Sequence, residues 1–318
     1  MSGKTVRLFT VSVLLMAGAM RASAQTPSEN VTVTGTKSRE VLGTFTKAFA
    51  SPAKLTGKIA RWERRVCPVV VGQNPNFTAF ITQRVKYIAL AAGAPVNTEV
   101  SCTPNIEIVF TTTPQALMDN VRKNNFVYLG YATSTAQLDA LATVTRPIQA
   151  WYTTETVDRD GMRRIDRGRP MGPGIAMSNF NADAFVTEGG GPNIDPVTMP
   201  DATYARSSGS HIDNGIHSAF NHILIVVDST KLAGQTVVPL ADYISLLALT
   251  QLNSLDVCQQ LPSIVNLLAA SCDHAADGLT LFDLGYLQGL YKMSAGRNLV
   301  LQRNEIAGAM AETLAKVK

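Results

Sequence analysis

The chain has 318 residues, 46% hydrophobic and 16% charged, with 28 Lys and Arg against 24 Asp and Glu. That length and apolar content suit one large domain or two small ones and exclude a disordered chain. Residues 1–24 hold Lys4, Arg7 and Arg21 and no acid, so without them 28 basic residues become 25 against 24 acidic ones, and so neutral a surface gives no electrostatic reason to expect nucleic acid or anionic membrane as a partner.

The first element is a leader. Lys4 and Arg7 make a basic start, Leu8 to Met20 is an apolar run too short to span a bilayer, and Ala22-Ser23-Ala24 gives a small-x-small cleavage pattern before Gln25. We read 1–24 as a signal peptide and expect a periplasmic or secreted product. No later run reaches about 18 uninterrupted apolar residues, so no transmembrane segment is expected in the mature chain. Residues 25–60, rich in Thr, Ser, Lys and Gly, read as an N-terminal linker; VTVTGTK, 31–37, alternates like a short edge strand. Residues 61–318 read as a single α+β domain.

Within that domain the apolar spacing of Phe77, Ile81, Val85 and Ile88 predicts a helix ended by Gly93 and Pro95. IEIVFTT, 106–112, reads as a strand. Thr113-Pro114 then opens a helix, with Thr as N-cap and Pro at the first position. Ser134 caps another over 134–144. PIQAWYTTETVD, 147–158, alternates as a strand and turns at DRDG. Residues 160–209 hold many Gly and Pro with little periodicity, a long irregular loop. HILIVVDST, 221–229, is a strand. The helix 239–252 is apolar nearly all round, which predicts burial on most sides. Pro262 opens a second helix, Thr280 with Asp283 makes a capping-box start for a third, and Ile306, Met310 and Leu314 stripe the last.

Four cysteines fit an oxidising compartment and allow three pairings. The local pairs Cys67–Cys102 and Cys258–Cys272 are favoured; cross-pairing and buried thiols are the alternatives. A zinc site from them is not expected, because no C-x-x-C pair exists.

Three of the four histidines, His211, His217 and His222, lie close together with Asp213 between the first two. His217 and His222 are five apart, the wrong spacing for one helical face, and a strand would point them to opposite sides, so a polar loop leading into a strand is the better reading. Ser208-Gly209-Ser210-His211 lacks the strand–turn–helix elbow of a serine nucleophile. EGGGP, 188–192, lacks the lysine of a phosphate loop. Trp62, Trp151 and Tyr152 read as packing residues. GMRRIDRGRP, 161–170, is rich in arginine and reads as a solvated hairpin arm, partly neutralised by Asp158, Asp160 and Asp166.

The element order resembles the zincin metallopeptidase layout, in which a twisted sheet packs on a helix bearing H-E-x-x-H. Such a helix sets two imidazoles on one face to bind zinc, with the glutamate activating the water. Here it reads LADYISLLALTQ, with Asp242 near its start and neither His nor Glu. Three stretches also resemble a group of secreted Gram-negative proteins with no established activity: Leu240-Ala241-Asp242-Tyr243, the C-x-x-LPSI of Cys258 to Ile264, and the LT-x-x-D-x-x-YL-x-x-LY ending at Tyr291. That resemblance spans about residues 60–312 and implies a fold and an exported location.

The expectation is an α+β protein: a small mixed sheet with helices, and a helical C-terminal half around a central buried helix on a zincin-like layout. The sequence points to an exported, non-catalytic binding or envelope-associated protein whose partner is an unknown protein or small ligand. It marks no catalytic residue, cofactor site or metal-ligand set. The alternative is a hydrolase of another type using His211, His217 and Asp213.

Overall fold

The computed structural model describes residues 35–99, 101–168, 207–208, 210, 212–232, 234–253, 255, 257–269, 272 and 275–316. The leader, Val31 to Thr34 of the expected edge strand, most of the irregular loop and His211 lie outside them.

The N-terminal segment read as a linker is in part a helix, α1, Gly35–Phe49. Leu42, Phe45 and Phe49 follow one another at spacings of three and four and are almost fully buried in the main core. Each contributes on the order of 1.5–3 kcal/mol by leaving water, enough to dock a helix of otherwise polar composition. Residues 35–37, read as the end of an edge strand, begin this helix.

Five strands form one mixed sheet: β1 Pro68–Val71, β2 Ile106–Thr111, β3 Ile148–Val157, β4 Arg163–Ile165 and β5 His217–Asp228. Their order is β1-β2-β5-β3-β4. β1, β2 and β5 run parallel, while β3 and β4 are antiparallel additions. β5 lies in the middle, and both faces of its apolar run are covered, as a central strand requires. Ile223, Ile225 and Val227 enter the main core; Leu224 and Val226 enter a smaller one with Trp151. The β3–β5 register slips between Thr153 and Thr154, which pair with His222 and Phe220, so Asn221 is the extra residue of a bulge.

Helices cover both faces, giving the α+β architecture. The main core packs α1, α2 (Pro75–Ala92), α5 (Val237–Leu249), α6 (Leu281–Lys292) and α7 (Leu299–Ala315); the smaller one packs α3 (Pro114–Asn124), a 3-10 turn at Phe126–Leu129 and α4 (Thr135–Ala142). Local chemistry sets the ends. Asn74 accepts the Phe77 amide at 3.0 Å and Pro75 opens α2, which closes on Gly93 at φ 87°. Ser134 caps α4, and Thr280 with Asp283 forms the expected box on α6. Thr113 makes no cap bond with its side chain; its amide turns instead to the Thr111 hydroxyl at 3.1 Å. The helix expected after Pro262 is only a 3-10 turn, Ile264–Leu268.

Both local disulfides are present, Cys67–Cys102 and Cys258–Cys272, with Cα–Cα distances of 6.1 and 5.4 Å. No described helix is long and apolar enough to cross a membrane.

Candidate binding site

α5 is the helix compared in the sequence reading with the ligand-bearing helix of a zincin. Every residue from Pro239 to Leu249 is buried. Asp242 is fully enclosed, and its carboxylate takes the Arg84 guanidinium from α2 with both oxygens, the Nη2 contact at 2.9 Å, and the Leu279 amide at 2.8 Å. The hydrogen bond to Asp242 holds the Arg84 pKa above its ordinary value, against the opposing effect of burial. The groups around Asp242 thus tie α2, α5 and the approach to α6 together. Among the described residues no three His, Cys, Asp or Glu side chains converge.

The far end of α5 is buried too, where a helix leaves its last four carbonyls without intrahelical donors. Each finds one. The Tyr152 hydroxyl reaches Leu247 and the C-cap Thr250, both at 3.1 Å, the Trp62 indole N–H Ala248 at 2.8 Å and the Tyr291 hydroxyl Leu249 at 3.0 Å. Trp62 and Tyr152, read as packing residues, are also the caps that let this end stay dry. Trp151 belongs to the smaller core and donates to the Leu141 carbonyl at 2.6 Å.

Of the sequence candidates that lie within the described residues, Asp213 and His217 turn to different partners. Asp213 folds back on its own loop, accepting the Gly215 amide at 2.9 Å. Its charge acts on Lys58, a buried lysine whose ammonium donates to Asn214 Oδ1 at 2.6 Å and to the Ile216 and Gly296 carbonyls. Burial pushes the Lys58 pKa down and Asp213 pulls it back. His217 meets Glu63 instead, Nε2 to Oε1 at 2.8 Å.

That pair opens a chain of charges that sequence reasoning missed. Glu63 also takes Arg163 at 2.7 Å, Arg163 reaches the buried Glu155 at 2.6 Å, and Glu155 takes Arg64 at 2.9 Å. Burial alone would raise the Glu63 pKa, but the hydrogen bonds and charges of His217 and Arg163 outweigh it and hold the carboxyl down at about 2. The arginine-rich arm is therefore pinned to the sheet through Arg163. One signal was readable: an acid at position 155 inside a Thr-rich strand, facing an arginine across the DRDG turn. His222 lies on the other face, its ring stacked 4.5 Å from Tyr128 and its Nε2 3.4 Å from Glu107. Neither ring nitrogen makes a well-formed hydrogen bond. Burial pushes its pKa down, with Glu107 opposing.

Beside β3, where that strand meets the C-terminal end of α5, a pocket of about 170 Å³ opens to solvent. Its polar wall comes from Lys54, Tyr131, Arg146, Thr154 and Gln251, with Leu252 on the apolar side. Among the described residues no Asp or Glu lines it. The Lys54 ammonium makes one long contact, 3.4 Å, to the Tyr131 carbonyl. Gly130 forms part of the wall because only a hydrogen fits there: a Cβ would come within 2.5 Å of the Tyr152 carbonyl, at a φ of 86°. A second, mainly apolar groove of about 230 Å³ runs between α1 and residues 257–261.

Comparison with protein-family models, curated proteins and solved structures finds no match to this chain.

Proposed function

We propose that the protein is an exported, non-catalytic binding protein on a zincin-like scaffold, acting in the periplasm or beyond, with the pocket beside β3 as its binding site. The observation that carries this reading is α5. Where a zincin needs imidazoles and a general base, this helix presents leucines, and its one carboxylate is already neutralised by Arg84 and the Leu279 amide. Such a helix supports a fold and offers a reacting group nothing to touch. The two disulfides and the leader read over 1–24 support an oxidising location.

The test is incubation of the mature chain, residues 25–318, with varied peptides and esters, with and without zinc. No turnover is expected. Turnover that survives purification and is abolished by Lys54→Met or His217→Ala overturns the reading.

A further inference from the structure

Resting on that reading, we propose that the pocket beside β3 takes a small oxyanion, a carboxylate or a phosphate carried on a short organic body, with Lys54 as its charged contact.

Three observations converge. The first is charge. Lys54 and Arg146 line the pocket, and among the described residues no carboxylate does. Asp166, bonded to the lining residue Thr154, is buried with its oxygens taken up by the Thr154 and Thr156 hydroxyls at 2.6 Å each. Arg146 has contacts of its own, which leaves Lys54 as the charged contact. That side chain is exposed, and among the described residues its ammonium has no acid partner and one long carbonyl contact. Arg64, Arg84 and Arg163, by contrast, each already hold a carboxylate. A cation at a concave surface with its bonding capacity unspent selects an anion.

The second is size. About 170 Å³ is below the range of roughly 300–1,000 Å³ in which drug-sized ligands and cofactors are held. A headgroup or a chain terminus fits; a nucleotide does not. The third is the lining. Gln251 and Tyr131 add polar groups to the lining, and Leu252 and Leu255 add apolar surface. A bare inorganic ion would use only half of such a wall, so an anion with a short apolar body uses it better.

Benzoate, phenyl phosphate and neutral benzamide, titrated into the mature chain by NMR with the amides of residues 129–131 and 251–252 as reporters, test this. The two anions should shift those signals and benzamide should not. Lys54→Met should weaken anion binding by about tenfold, the loss of one charge-assisted hydrogen bond, while Lys54→Arg retains it. The preferred arm names the source: benzoate for a carboxylate terminus, phenyl phosphate for a phosphate headgroup. Equal binding of benzamide, or anion affinity unchanged in Lys54→Met, overturns the anion assignment and leaves the binding reading standing. If none of the three compounds shifts the pocket signals, the pocket is no binding site and both fall.

Discussion

Glu63 shows how a single carboxyl links the edge of the sheet to pH. Its ordinary pKa of 4.5 is held down at about 2 by His217 and Arg163 in the folded chain. A depressed folded pKa contributes stability that is fully present above 4.5 and is lost as pH falls through 4.5 toward 2. We therefore expect Glu63→Gln to destabilise the protein at pH 7 and to converge on the wild type near pH 2, read by denaturant unfolding at a series of pH values. His217 was visible in the sequence as a histidine near a strand, but its partner was not. Glu63 lies 154 positions upstream, and only the fold brings the two within 2.8 Å. The same holds for Asp242: its place in the LADY stretch was readable, while Arg84, on another helix, was not.

At the scale of elements, helices and strands with local chemistry were legible. Ser134, and Thr280 with Asp283, announce their helices because a cap needs only neighbours in the chain. α1 escaped notice because Gly, Thr and Lys separate Leu42, Phe45 and Phe49, and the core that decides the matter lies far along the chain. α5 was legible as a buried rod, but the donors at its end were not. The Trp62 indole is one of them, fully buried against the Ala248 carbonyl. Trp62→Phe keeps most of the ring and removes the N–H, leaving that carbonyl dry and unpaired. A loss of about 1–3 kcal/mol is expected in urea unfolding. α6 uses the same device with a cation: Arg61 donates to the Met293 carbonyl at 2.7 Å and to that of Tyr291 at 3.1 Å.

At the scale of the molecule, the α+β class and both local cysteine pairs followed from spacing. The pocket did not, because its wall is gathered from positions 54, 131, 146, 154 and 251. The Cys258–Cys272 bond closes a loop of sequence separation 14 between α5 and α6. Replacing both cysteines by serine should cost up to about 3 kcal/mol in the chain-entropy picture. The loss should fall short of that if the polar contacts of the same loop already order it: Ser263 donates to Asp283 at 2.5 Å, and Asn266 accepts the Gln259 amide at 2.8 Å. Comparing the double-serine chain with the wild type, with and without a thiol reductant, separates the two contributions.

The aromatic donors at the end of α5 are contributed by positions 62, 152 and 291. A fragment that lacks any one of the three leaves a carbonyl of α5 without its donor. The closing of one helix end therefore draws on the beginning, the middle and the end of the chain, and fragments without position 62, 152 or 291 should unfold at lower urea than the whole protein.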